Sequence, residues 1–136
     1  MVTRIIQGHK NHSYFLFGAR GTGKTTLIHM LFTKKNSVYI DLLDPVEEDL
    51  FIRNPHELTN RIATLPDSVT WIIIDEVQKV PKLLDLTHKL IESTRFKYVL
   101  TGSSGQKLKR GASNLLAGRA FVYHLFPFTY RELGND

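Results

Sequence analysis

The sequence predicts an α/β fold in which a parallel β-sheet carries helices on both faces. Three observations point there. Short apolar runs alternate with helical segments along the 136 residues. Two of the runs, Tyr14–Phe17 and Trp71–Ile74, are continuously apolar, as strands buried on both faces must be. Turn residues such as Gly18, Pro66-Asp67-Ser68 and Pro127 stand at the ends of runs. No internal repeat, low-complexity stretch or flexible linker breaks the pattern, and the length suits one domain.

Each element has its own signal. Ser13–Phe17 is short, aromatic-rich and ended by Gly18, which predicts a buried strand. Lys24–Lys34 carries Leu27, Ile28, Met30, Leu31 and Phe32, as a partly buried helix does. Ser37–Leu42 predicts a second strand, and the stretch from Asp41 to Asp49 reads as an acidic block. Pro55–Leu65 predicts a helix with Asn54 as its cap and Pro55 at its first position. Val69–Ile74 is the strongest strand of the chain. Pro81–Ser93, with Leu83, Leu84, Leu86, Leu90 and Ile91, predicts an amphipathic helix. Phe96–Thr101 and Ala120–Phe126 predict the fourth and fifth strands. Leu108–Leu116 reads as broken helix, and Phe128–Leu133 starts another.

Composition excludes several classes. With no cysteine there is no disulfide scaffold, thiolate zinc site or cysteine nucleophile, which also suits a reducing compartment. No apolar run approaches the roughly 20 residues that span a bilayer, and the N-terminus lacks a signal-peptide core. The expectation is a cytoplasmic protein without a membrane partner. The net charge of +5 and pI near 9.6 suit either a polyanionic partner, nucleotide phosphates or nucleic acid, or a merely solvated surface.

One motif decides the direction of the reading. Gly18-Ala19-Arg20-Gly21-Thr22-Gly23-Lys24-Thr25-Thr26 fits G-x-x-x-x-G-K-[ST] in full, between a predicted strand and a predicted helix. Glycines let such a loop curl until successive N–H groups converge on phosphate oxygens. The helix start adds unpaired N–H groups and the positive end of its dipole. Lys24 then reaches the β- and γ-phosphates and the Thr25 hydroxyl can ligate Mg²⁺. Arg20 either touches phosphate or faces solvent.

Two further strand ends stand out. Trp71-Ile72-Ile73-Ile74-Asp75-Glu76 ends an apolar strand in two carboxylates, at the sheet edge where open α/β sheets bind ligands. Asp75 is placed to hold the Mg²⁺ shell, and Glu76 to orient or deprotonate a water in line with the γ-phosphate. Tyr98-Val99-Leu100-Thr101-Gly102-Ser103-Ser104 ends another strand in small polar residues, so a hydroxyl there can meet the γ-phosphate or the attacking water.

These residues carry a resemblance. The chain resembles a P-loop ATPase of the AAA+ type, and more narrowly a bacterial and archaeal family of predicted ATPases. The similarity lies in the loop from Phe17 to Thr25 and in the strand end from Ile74 to Pro81. It extends to Leu100–Ser104, Leu115–Arg119 and the run from Leu125 to Leu133. It implies a three-layer P-loop NTPase fold with a five-stranded parallel sheet in the order 5-1-4-3-2. It implies ATP and Mg²⁺ as cofactors, Lys24 and Thr25 as phosphate and Mg²⁺ ligands, Asp75 as the metal carboxylate and Glu76 as the hydrolytic glutamate. Thr101, or else Ser103, becomes the γ-phosphate sensor. Arg119, after Gly118, becomes an arginine offered to a neighbouring subunit's γ-phosphate in a homo-oligomer, against the alternative of an ion pair anchoring its turn. Such family members continue into a C-terminal region, so residues 1–136 are expected to be the ATPase domain of a longer architecture, without its lid or partner domain.

The expected activity is therefore Mg²⁺-dependent ATP hydrolysis, slow in isolation. The alternatives are a nucleotide-binding switch with little hydrolysis, or an ATPase associated with nucleic acid. Other residues are weaker candidates. Of the histidines only His9 and His12 lie close together, with no third ligand in view. Gln78 either senses the γ-phosphate or caps a helix. Phe126, Phe128 and Tyr130 suit the packing of a strand-to-helix turn better than base stacking.

Overall fold

The computed structural model describes residues 12–18, 28–30, 32–103 and, as backbone, 121–124. Five strands form one sheet: β1 (Tyr14–Phe17), β2 (Ser37–Asp41), β3 (Trp71–Asp75), β4 (Lys97–Gly102) and β5 (Phe121–His124). Their spatial order is β2-β3-β4-β1-β5, the order the resemblance implies, and each adjacent pair is parallel. Parallel strands need crossovers, and among the described residues three full helices lie in them: α1 (Pro45–Arg53), α2 (Glu57–Ala63) and α3 (Lys82–Ser93). Residues 28–30 are helical too, inside the helix predicted over 24–34.

Side-chain alternation divides the core into two layers. Phe15, Phe17, Ile40, Ile72, Ile74, Tyr98 and Leu100 pack on one face with Phe51, Leu58 and Leu83 of the three helices. Tyr14, Leu16, Trp71, Ile73 and Val99 pack on the other with Ile28 and Phe32. Every residue of β1 and β3 is buried, as their continuous apolar runs require.

One stretch departs from the prediction. The acidic block contains the start of a helix. The Asp44 side chain accepts from the Val46 N–H, Pro45 occupies the first turn, and Glu47 and Glu48 face the positive end of the helix dipole. Asn54 therefore ends α1, its N–H bonding the Leu50 carbonyl, instead of opening the next helix. That helix, α2, starts two residues beyond Pro55, after His56, which makes no side-chain cap. Arg61 of α2 joins the pair through two hydrogen bonds of 2.7 Å to Glu47, and its guanidinium lies 4.9 Å from the Phe51 ring centre. The expected segments Leu108–Leu116 and Phe128–Leu133 lie outside the described residues.

Candidate functional site

All strands run the same way, so their C-terminal ends share one edge of the sheet. Phe17 pairs with Gly102, and the Gly18 N–H continues the ladder to the Gly102 carbonyl at 3.1 Å. The first glycine of the phosphate-loop motif therefore starts beside the end of β4. One position beyond the Ile74–Leu100 pair, Asp75 and Thr101 stand side by side on the face that also holds Ile28.

These two residues are bonded. The Thr101 hydroxyl donates to Asp75 Oδ1, and the Tyr39 hydroxyl, from β2, donates to Asp75 Oδ2. Asp75 is 4% exposed, and among the described residues it makes no ion pair. Among the described residues its side-chain partners are two neutral hydroxyls, and a carboxylate so buried is costly without a paired cation. A carboxylate of about four acceptor positions, with two filled by described residues, suits a hard cation of the Mg²⁺ kind, which takes one or two carboxylates with substrate phosphates and water. Burial first, and then the neighbouring Asp75 carboxylate, push the Tyr39 phenol well above its usual range, so it remains a neutral donor.

Glu76 follows in a left-handed conformation, φ 62° and ψ 51°, the one non-glycine residue with positive φ among those described. That geometry costs a residue with a Cβ roughly 1–2 kcal/mol, and surrounding contacts must hold it. Its backbone N–H donates to Thr101 Oγ1 at 3.0 Å. Its carboxylate Oε2 accepts from the Gln78 amide and, at 3.3 Å, from the Ser103 hydroxyl. Glu76 is 4% exposed. The reversal aims its side chain back across the sheet edge toward the end of β4.

Of the residues singled out from the sequence, Gly18, Asp75, Glu76, Thr101 and Ser103 converge on this edge. The Thr101 proton is committed to Asp75 and its lone pair to Glu76, so its present contacts are with those two residues; the Ser103 hydroxyl meets Glu76. The Gln78 amide donates to Glu76, and among the described residues its buried Oε1 has no hydrogen-bond partner. Arg20, Gly21, Thr22, Gly23, Lys24, Thr25, Thr26 and Arg119 lie outside the described residues. Tyr39 was not foreseen, because a contact reaching across a neighbouring strand leaves no trace in local spacing. Among the described residues no three histidine or acidic side chains cluster as a metal cage.

The sequence matches the model of an AAA domain family over residues 10–134. The chain belongs to this AAA domain family. An uncharacterized protein of Methanocaldococcus jannaschii is 28% identical over 141 residues, covering 96% of this chain and 29% of that protein. The chain spans under a third of the length of the curated relatives it matches. Domain III of the Thermotoga maritima replication initiation protein DnaA shares the fold, with TM-score 0.57 at 18% identity, over 92% of this chain and 59% of that one. Bacteroides Pif1 bound to single-stranded DNA shares it too, with TM-score 0.55 at 16% identity, over 98% and 44%. The AAA domain described here is thus of the P-loop ATPase type in fold and family. Among its described residues no helix is long and apolar enough to cross a membrane.

Proposed function

We propose that this AAA domain binds ATP with Mg²⁺ and hydrolyses it. The observation that carries the reading is the convergence of Asp75, Glu76, Thr101 and Gly18 on one strand edge, where the G-x-x-x-x-G-K-[ST] loop begins. Lys24 and the N–H groups of the loop bind the phosphates. Thr25 and Asp75 hold Mg²⁺, which neutralises charge on the transferred phosphoryl group. Glu76 accepts the proton of the attacking water, Ser103 stands beside it as the γ-phosphate sensor, and Thr101 positions the Asp75 carboxylate and the Glu76 backbone. Arg119 serves a neighbouring copy. We place the domain in the cytoplasm as the ATPase part of a longer architecture.

A second reading, a nucleotide switch that turns over little, draws on a specific contact. Glu76 is held by Gln78 and Ser103, and a base so restrained acts slowly until its bonds exchange. A nucleic-acid partner is the third, motivated by the net charge of +5 and by a structural neighbour solved on single-stranded DNA. Phosphate release, measured with Mg²⁺, with EDTA, and with single-stranded DNA added, separates the three. Mg²⁺-dependent release that Asp75→Ala abolishes supports hydrolysis. Tight ATP binding without release supports the switch. Stimulation by DNA supports the third. No nucleotide binding under any condition removes all of them.

A further inference from the structure

We propose that Tyr39 is a positioning residue that sets the affinity of this site for its divalent cation. The proposal rests on the reading of Asp75 as a metal-binding carboxylate. Tyr39 lies on β2, the outer strand of the sheet, opposite Ile73 of β3. Alternation puts Tyr39, Ile73 and Asp75 on the same face, and the phenol passes along the sheet edge to reach Asp75 Oδ2. Its ring is fixed from the other side by His29 of the helical turn at 28–30, with ring centres 5.3 Å apart. Thr101 holds Oδ1 from β4. The carboxylate is thus gripped at both oxygens by donors on the two strands flanking its own, and its plane is fixed about the Cβ–Cγ bond.

A carboxylate held this way keeps its remaining lone pairs pointed in one direction before any cation arrives. Replacing the phenol by a phenyl ring leaves Oδ2 buried without this donor. The carboxylate must then turn toward water or another partner, and must turn back to meet the metal. Partners that orient a metal ligand are commonly worth 10–100-fold in metal affinity. Nucleotide contacts that do not pass through the metal are unaffected. Tyr39 is therefore expected to alter the Mg²⁺ requirement and not nucleotide recognition as such.

The test is Tyr39→Phe in the whole chain, with ATP binding followed by calorimetry in EDTA and across a Mg²⁺ titration. Mn²⁺ binding to the ADP-loaded protein, read by electron paramagnetic resonance, gives metal affinity without reference to turnover. The expected result is an ATP affinity in EDTA within about twofold of wild type, with Mg²⁺ and Mn²⁺ midpoints raised by roughly tenfold. Unchanged metal midpoints overturn the proposal, and so does a tighter midpoint, which makes the phenol a competitor of the metal. An equal loss of affinity with and without metal also overturns it, since that is general damage to the site. Wild type and Asp75→Ala are run alongside. If wild-type binding is indifferent to Mg²⁺, the reading of Asp75 itself fails, a result separate from any effect of Tyr39.

Discussion

The Glu76 backbone N–H donates to the Thr101 hydroxyl at 3.0 Å, and the same hydroxyl donates to Asp75. One side chain of β4 thereby fixes both acidic residues of β3's end: the carboxylate of the first and the left-handed backbone of the second. A valine at 101 has the same shape and neither bond, so Thr101→Val tests this pinning directly. It removes this bond from two buried polar groups, Asp75 Oδ1 and the Glu76 N–H, and should destabilise the fold by about 1–3 kcal/mol. It should also cut turnover more than nucleotide affinity. Equal melting temperature and turnover would remove the role.

Lys24→Ala deletes a charge-assisted contact to phosphate. Such a contact contributes about 1.5–3 kcal/mol, so ATP affinity should fall roughly tenfold to a hundredfold. Calorimetry that finds the wild-type affinity would refute the phosphate-loop reading.

Glu76→Gln should retain ATP while turnover drops by about 10²–10⁴, the range for a general base. Gln78→Ala should act in the opposite sense. It removes the amide that restrains Glu76, so turnover should rise by roughly tenfold to a hundredfold, the scale of one hydrogen bond to a charged group. A slower Gln78→Ala enzyme would mean that the amide aims the carboxylate for reaction.

Arg119→Ala should bind ATP normally and hydrolyse it poorly, with specific activity of the wild type rising with protein concentration. An arginine given to another subunit's γ-phosphate contributes about 10³–10⁵ in rate. Mixing Arg119→Ala with Glu76→Gln chains should restore part of the activity, because each supplies what the other lacks. Absence of rescue at every ratio would leave Arg119 an anchor of its turn.

The Arg61–Glu47 pair ties α2 to α1 and gives a pH signature. Its hydrogen bonds to Arg61 hold the Glu47 carboxyl below its ordinary 4.5, burial opposing. A lowered folded-state value means the stabilisation is complete above the unfolded value and is lost as pH falls through the folded one. Arg61→Met should therefore melt lower at pH 7, by a few degrees for about 1 kcal/mol from a bidentate, partly exposed pair. The gap to wild type should close as pH falls below 4.5 and through the lowered folded-state value. A gap independent of pH would assign the effect to packing on Phe51 instead.

The five strands and the placing of Asp75 and Glu76 at a strand end were legible from the residues, whereas the strand order came from the family resemblance. Trp71–Ile74 is short and continuously apolar, as an interior strand of a parallel sheet is, and a carboxylate directly after it falls at the C-terminal edge of the sheet. Helix α1 was not legible because its first turn carries its acidic residues, so composition hid the Asp44 cap and the buried Phe51. The different hydrogen-bond partners of Thr101 and Ser103 were also hidden. They depend on register, which sets Thr101 beside Asp75 on one face and leaves Ser103 past the strand end. Tyr39 depends on a third strand lying next to β3, which spacing within one segment does not encode.

The position of β1 has a consequence for synthesis on the ribosome. Tyr14 pairs with Val99 on one side and Phe121 on the other, so this interior strand is made early and finds both neighbours late. Until β4 and β5 have emerged, a wholly apolar four-residue strand has two unsatisfied backbone edges. Long-range parallel pairing of this kind folds slowly and leaves sticky surface exposed meanwhile. Nascent chains halted before Val99 should therefore engage holdase chaperones through the Tyr14–Phe17 segment, and chains released after His124 should let go of them.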